Sequence, residues 1–489
     1  MNRIINQLVS YALKNHLIDQ EDVSYSVNLL LDVLKLTDFN REETEPAEFD
    51  EIMEAIFKDA VARNLIEDTV TERDLFDTRV MNCFMPRPSE VIRTFHKLKK
   101  DPSKATDYFY QLSIHTNYIR KSRTDKKIKI NRFYKYGEFQ ISINLSKPEK
   151  DPKEIAKAKS IKSTGYPKCL LCKENVGFAG NMNHPARQNH RIIPLDLNGN
   201  EYYLQYSPYV YYNEHCIVLN KDHVPMSMNR TTFENLFSFI RQFPHYMIGS
   251  NADLPIVGGS ILSHDHYQGG RHHFPIEDAE VLYRTNLQSN VEAQILNWPL
   301  STLRLRSNDD MALIDWSEKI LNNWIQYEDQ DCDIVPFTEN QRHNTITPIL
   351  RMKDGMYEID LVLRNNRTSE EYPDGIFHPH AEYHHIKKEN IGLIEVMGLA
   401  ILPARLKTEI EDLKSCLINK KNIEDFDSLI KHRPWFEKLK KLNVQPHQLD
   451  ALFENELTRI FVRVLENAGV FKMSKEGIQG FKKFVDSLN

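Results

Sequence analysis

The apolar positions of about the first 120 residues recur at helical spacing. Ile5, Leu8, Tyr11 and Ala12 fall on one face, and Val27, Leu30, Leu31, Val33 and Leu34 on another. This period predicts a run of amphipathic helices. No glycine occurs before Gly137, which suits long helices with few special turns. Phe139 to Leu145 then alternates, as a strand does. A lysine-rich stretch with Pro148 and Pro152, Ser146 to Ser163, reads as a boundary or a solvated helix. From Tyr166 the texture becomes β-rich. Strand candidates are Tyr202 to Tyr206, Val210 to Tyr212, Cys216 to Leu219 and Pro255 to Ser260, with a helix over Arg230 to Phe243. A second region, Asn344 to Leu402, has similar grain, with an alternating strand at Tyr357 to Leu363 and a long apolar run from Ile391. Past Ala404 the helical period returns.

Composition narrows the class. Of 489 residues, 41% are hydrophobic and 10% aromatic, enough for large cores and against general disorder. The formal net charge of -6 argues against a dedicated nucleic-acid binder but leaves room for a local basic pocket. No run of about 18 apolar residues is present, so no transmembrane helix is expected. The start, Met1 to Gln7, does not read as a signal peptide. Only Cys169 and Cys172 of the 6 cysteines are close in sequence, so no disulfide framework is expected and a reducing cytoplasm fits.

The densest chemistry lies between Gly258 and Phe274. Its centre is His264-x-His266-x-Gln268. If extended, this piece points all three side chains to one face. An imidazole, a second imidazole and a carboxamide in a row can attack, hold and hydrogen-bond a phosphoryl group. Glycines on both sides let backbone approach a ligand, and Arg271, His272 and His273 favour an anion. The same pair could be two metal ligands or plain strand residues. Cys169-Leu-Leu-Cys172 has the gap that lets two thiolates grip one metal, with His223 and His264 as candidate partners. A redox pair or two ordinary thiols are the rival readings. His378-Pro-His380-Ala-Glu382-Tyr-His384-His385 suits a second metal, a phosphate site or exposed histidines without a ligand. The loop His184-Pro-Ala-Arg187-Gln-Asn189-His190-Arg191 can clamp a phosphate through the Arg187 fork, or simply be solvated.

These residues give the chain its resemblance to galactose-1-phosphate uridylyltransferases, and most to their longer bacterial class. The match is best over about Tyr166 to Pro275 and about His343 to Leu402. In the better-known class the pattern is Cys-x-x-Cys, a lone histidine, then His-Pro-His-x-Gln. The resemblance implies zinc held by Cys169, Cys172, His223 and His264, His266 as nucleophile, and Gln268 as a donor to phosphoryl oxygens. Ser260 resembles a phosphate-contacting serine and Asn251 a uridine-phosphate asparagine; Arg187 is the further substrate-binding candidate. Asp265 stands where the other class has proline, and Tyr206-Ser207-Pro208 where nucleoside-contacting residues are expected.

The implied reaction moves a uridylyl group from UDP-glucose to galactose 1-phosphate through a covalent uridylyl-histidine. It gives glucose 1-phosphate and UDP-galactose, in galactose metabolism. The implied fold is α+β: two related histidine-triad-like half-units of mostly antiparallel sheet with helices, plus helical extensions. The expected division is a helical extension over 1–150, the nucleotidyltransferase half over 151–330, a second sheet-rich half over 331–405 and a helical region over 406–489. A homodimer in the cytoplasm is implied, with UDP-sugars and hexose 1-phosphates as partners and neither nucleic acid nor membrane. An adenylyltransferase or dinucleotide phosphorylase, or a zinc-stabilised interaction protein without catalysis, would use the same residues differently.

Overall fold

The computed structural model describes residues 1–145 and 165–488. The lysine-rich boundary expected over Ser146 to Ser163 lies outside the described residues. The chain is α+β and forms two compact units.

The first unit takes Met1–Lys126, residues 165–210 and Glu214–His223. Its helices are the expected amphipathic ones. Asn2–Lys14 buries Ile5, Leu8, Val9 and Ala12, the i, i+3, i+4, i+7 face. Proline opens Pro88–Leu98 and Pro102–His115, where a missing N–H costs nothing. Thr69 caps Val70–Asn82 by accepting from Glu72 N–H at 3.2 Å. That helix is fastened to the chain beyond it by Arg120 on Asp77 (3.1 Å) and Arg123 on Asp74 (2.5 Å). Three antiparallel strands follow: Ile193–Leu197, Asn200–Tyr206 and Cys216–Asn220. The first turn is Asn198-Gly199, both with positive φ (54° and 81°), as a tight hairpin requires.

The second unit comprises Lys127–Leu145, Tyr211–Asn213 and Val224–Asn489. Its main sheet is antiparallel throughout. The strands run in the order His266–Gly270, Met247–Gly249, Asn344–Lys353, Met356–Asn365, Thr302–Ser307, Val291–Leu296, Val281–Leu287. A 3-stranded sheet joins Ile128–Tyr134, Gly137–Asn144 and, in parallel, Leu399–Pro403. Its core stacks Phe139 on Trp298 at 5.0 Å, with Phe461 of the long helix Leu449–Ala468 edge-on. Helices Arg230–Gln242 and Asp310–Gln326 belong to this unit, and four more run from Arg405 to Asp486.

Two expected strands are absent. Val210 to Tyr212 is a turn, with Val210 at φ 42°. Pro255 to Ser260 is a folded-back loop with Ile256 at φ 72°. A Cβ on Gly258 would come within 2.5 Å of the Ala252 carbonyl, so this backbone doubles on itself rather than extending. The apolar run from Ile391 breaks into a short helix, Leu393–Val396, and the strand Leu399–Pro403.

Candidate active site

The strand His266–Gly270 pairs with Met247–Gly249, setting Gln268 opposite Gly249 and Gly270 opposite Met247. The extended row is shorter than the sequence suggests. His264 precedes the strand, whose backbone approach is set by two bonds: Met226 N–H to the Leu262 carbonyl (2.9 Å) and Asp265 N–H to the Val224 carbonyl (2.7 Å). These bonds fix the entry to His266. The imidazole of His266 is 6% exposed, and its Nδ1 lies 2.8 Å from the His264 carbonyl oxygen. A carbonyl only accepts, so Nδ1 carries the proton and Nε2 keeps its lone pair. Burial pushes the His266 pKa down, against smaller opposing pulls from that carbonyl and from Asp265. The geometry and the burial together favour a neutral ring with its proton on Nδ1 and the lone pair on Nε2.

Asn251 is buried and its Oδ1 accepts from Leu393 N–H at 2.9 Å, at the start of the short helix. Its Nδ2 packs against Gly259, where a Cβ would come within 2.7 Å. Asn251 thus ties the 251–260 loop to the rest of its unit. Ser260, in the same loop, is exposed. Asp253 anchors the loop further by accepting from Met228 N–H (2.9 Å), Arg342 (2.7 Å) and the Thr345 hydroxyl (2.7 Å). Sequence reading did not mark Asp253, because its partners lie up to 92 positions away.

The first unit brings the cysteine pair to His223. Cys169 Sγ and Cys172 Sγ are 3.6 Å apart, and Cys172 Sγ is 3.2 Å from His223 Nδ1. Asn175 Nδ2 donates to the carbonyls of Cys169 (2.9 Å) and Cys172 (2.7 Å), holding the turn closed. His264, 1% exposed, belongs to the second unit. Two thiols and two imidazoles are the donor set of a closed tetrahedral zinc site. Cys169, Cys172, His223 and His264 form a cysteine–histidine group able to bind a metal.

Arg187 lines a cavity of about 430 Å³ in the first unit, with Arg120, Arg123, His184 and Tyr209 among its neighbours. Its guanidinium sits over the Tyr118 ring at 5.4 Å. Of the 378–385 histidines, His378 Nδ1 and His384 Nε2 share the Pro379 carbonyl (3.3 and 2.8 Å). His378 Nε2 faces Asn390 Oδ1 (3.2 Å), and His380 faces the Ile376 carbonyl (3.2 Å) and Asn467 (3.1 Å). His384 donates to the Pro379 carbonyl (2.8 Å), while His385 Nδ1 meets His432 Nδ1 (2.8 Å).

The N-terminal domain model of galactose-1-phosphate uridyl transferase matches residues 17–225, and the C-terminal domain model matches 238–431. The galactose-1-phosphate uridylyltransferase of Clostridium acetobutylicum is 53% identical over 100% of both chains. That of Bacillus subtilis is 48% identical over 99% of this chain and 97% of its own, and that of Lactococcus lactis 46% over 99% of each. Fold and relatives together define an α+β enzyme of the transferase class. Within that class, the chain belongs to the galactose-1-phosphate uridylyltransferase family. Among the described residues no helix is long and apolar enough to cross a membrane.

Proposed function

We propose that the chain moves a uridylyl group from UDP-glucose to galactose 1-phosphate by a two-step exchange on His266. In the first step His266 Nε2 attacks the α-phosphorus, the bond to glucose 1-phosphate breaks, and a uridylyl-histidine forms. In the second, a phosphate oxygen of galactose 1-phosphate attacks the same phosphorus, giving UDP-galactose and restoring His266. The observation that carries this reading is the 2.8 Å bond from Nδ1 to the His264 carbonyl, which leaves Nε2 as the nucleophile. Neither leaving group needs a strong acid, because sugar phosphates depart as stable anions. That suits Gln268, which donates hydrogen bonds to developing charge but carries no acidic proton.

Asn251, Ser260 and Arg187 are the substrate contacts of this reading, with Arg187 offering a fork of donors to a phosphate. Zinc held by Cys169, Cys172, His223 and His264 would be structural, every position filled by protein. Its effect would be to fix His264 and so the backbone carbonyl that orients His266. The cysteines form no disulfide among the described residues, which suits a cytoplasmic setting.

Intact-mass measurement after mixing with UDP-glucose tests the proposal. The expected result is a gain of one uridylyl unit, discharged by galactose 1-phosphate and absent from His266→Ala. An adduct from an adenine dinucleotide but none from UDP-glucose would move the chain to adenylyl chemistry. Transfer retained in His266→Ala would remove the covalent step.

A further inference from the structure

The second unit holds a polar cavity of about 480 Å³ that shares no lining residue with the His266 strand. Its walls come from the 381–385 turn, the segment Lys431 to Lys438 and the helix Leu449–Ala468. Behind one wall runs a chain of three titratable groups. Glu409 Oε2 accepts from His432 Nε2 at 3.0 Å, so that nitrogen carries the proton. With His432 neutral, its Nδ1 accepts, and the His385 Nδ1 lying 2.8 Å away must donate. His385 Nε2 is then left as a lone pair on the imidazole that lines the cavity. Burial pushes His385 down to about 3 and lowers His432 too, in keeping with two neutral rings.

The other lining groups favour an anion that also carries hydroxyls over a metal cation. Lys431 and Lys438 reach the cavity from one segment and Arg459 from the long helix, against the single acid Glu382. Lys431 and Arg459 are oriented by Glu409 and Glu456, which offset part of their charge. Lys438 is exposed; it acts on Glu456 through the field but is in no ion pair at contact distance among the described residues. Trp435 gives an aromatic wall, its ring 5.3 Å from that of His385 and its Nε1–H donated to Glu456 at 2.9 Å. The volume suits a small metabolite.

We propose that this cavity is a second ligand site that binds a sugar phosphate. Lys438, with Lys431 and Arg459, takes the phosphate; His385 Nε2 accepts from a sugar hydroxyl; Trp435 covers the carbon skeleton. A divalent cation would face three cationic side chains around Glu382, His384 and His385, and the Nε2 of His384 is already spent on the Pro379 carbonyl, a poor coordination sphere.

The test uses the full chain and glucose 6-phosphate, which lacks the 1-phosphate that the transfer reaction uses. The expected result is saturable binding by calorimetry, with a change in tryptophan fluorescence that Trp435→Phe removes. Lys438→Gln, at an exposed position, should weaken binding at least about tenfold. It should leave the melting temperature and the rate of uridylyl exchange unchanged. His266→Ala should bind as the wild type does. Absence of saturable binding would overturn the site. So would binding unchanged in Lys438→Gln, or binding lost in His266→Ala, which would put the ligand at the transfer site. Inorganic phosphate binding as tightly as glucose 6-phosphate would overturn the sugar half of the assignment.

Discussion

Two stretches of this chain are rich in histidine, and the fold treats them in opposite ways. In His264 to His273 one imidazole is buried at the start of a strand and held by a backbone carbonyl two residues earlier. In His378 to His385 the imidazoles scatter to a side-chain amide, backbone carbonyls and a distant histidine. The difference comes from the backbone. A strand that begins at His266 presents its ring from a rigid ladder, whereas 378–385 is irregular apart from the short turn Ala381–Tyr383. A nucleophile needs one tautomer and one direction; the strand at His266 supplies both, whereas His385, whose tautomer His432 sets, stands on irregular backbone. Histidine count is therefore a poor guide to chemistry; the partner of the second ring nitrogen is a better one.

The sharpest way to break the comparison is to exchange the roles by mutation. His266→Ala should lower uridylyl exchange by about 10⁴-fold or more, as loss of a covalent nucleophile does, with the melting temperature nearly unchanged. His384→Ala should leave exchange within about threefold of wild type, since its ring bonds only to the Pro379 carbonyl. Comparable losses in the two variants would show that the second stretch takes part in the chemistry.

Metal content gives the next largest effect. Elemental analysis should find one zinc per chain, absent from Cys172→Ala. The loss should cost several kcal/mol and lower the melting temperature by about 10 °C, since a structural site binds its metal only when folded. His384→Ala should keep its zinc. A second equivalent of metal that leaves with His378 or His380 would make the second stretch a metal centre after all.

Much of this was legible in the sequence, for a reason of range. The helices of the first unit follow from apolar period alone, and Cys169, Cys172, His264, His266 and Gln268 announce themselves by spacing. What sequence concealed depends on distant or tightly folded backbone. His432 and Glu409 lie 47 and 24 positions from His385, in a stretch that reads as helix surface. Nothing local marks them as a relay. Pro255 to Ser260 reads as a strand because it opens on an apolar run, but Gly258 and Gly259 admit a close approach that side chains forbid. Asp253, which anchors that loop, is one carboxylate among 69 acidic residues until its three partners are seen.

The relay behind the second stretch offers a smaller stability effect. Glu409→Gln removes the carboxylate that orders His432, Arg405 and Lys431. It should destabilise the protein by about 1–3 kcal/mol, the usual cost of leaving buried partners poorly satisfied. Chemical denaturation reads this directly, and exchange on His266 should persist in the folded fraction. A variant as stable as the wild type would mean that the relay is not ordered by its acid.

The smallest expected effect is a difference in acid sensitivity. His385 is held at about 3 and His432 below its ordinary range, each chiefly by burial. Between about pH 6.5 and about pH 3 the unfolded chain binds protons at these rings that the folded chain refuses. The stabilisation by neutral imidazoles is therefore fully present above about pH 6.5 and is lost progressively as the pH falls. Other buried histidines contribute to the same fall, so the informative quantity is a difference between two proteins. His385→Gln has no proton to take up, and its melting temperature should drop less than that of the wild type between about pH 7.5 and about pH 5. Parallel curves for the two proteins would mean that His385 is already charged in the folded state. His385 would then donate from Nε2 instead of accepting there, and the hydroxyl acceptor assigned to the second cavity would be lost.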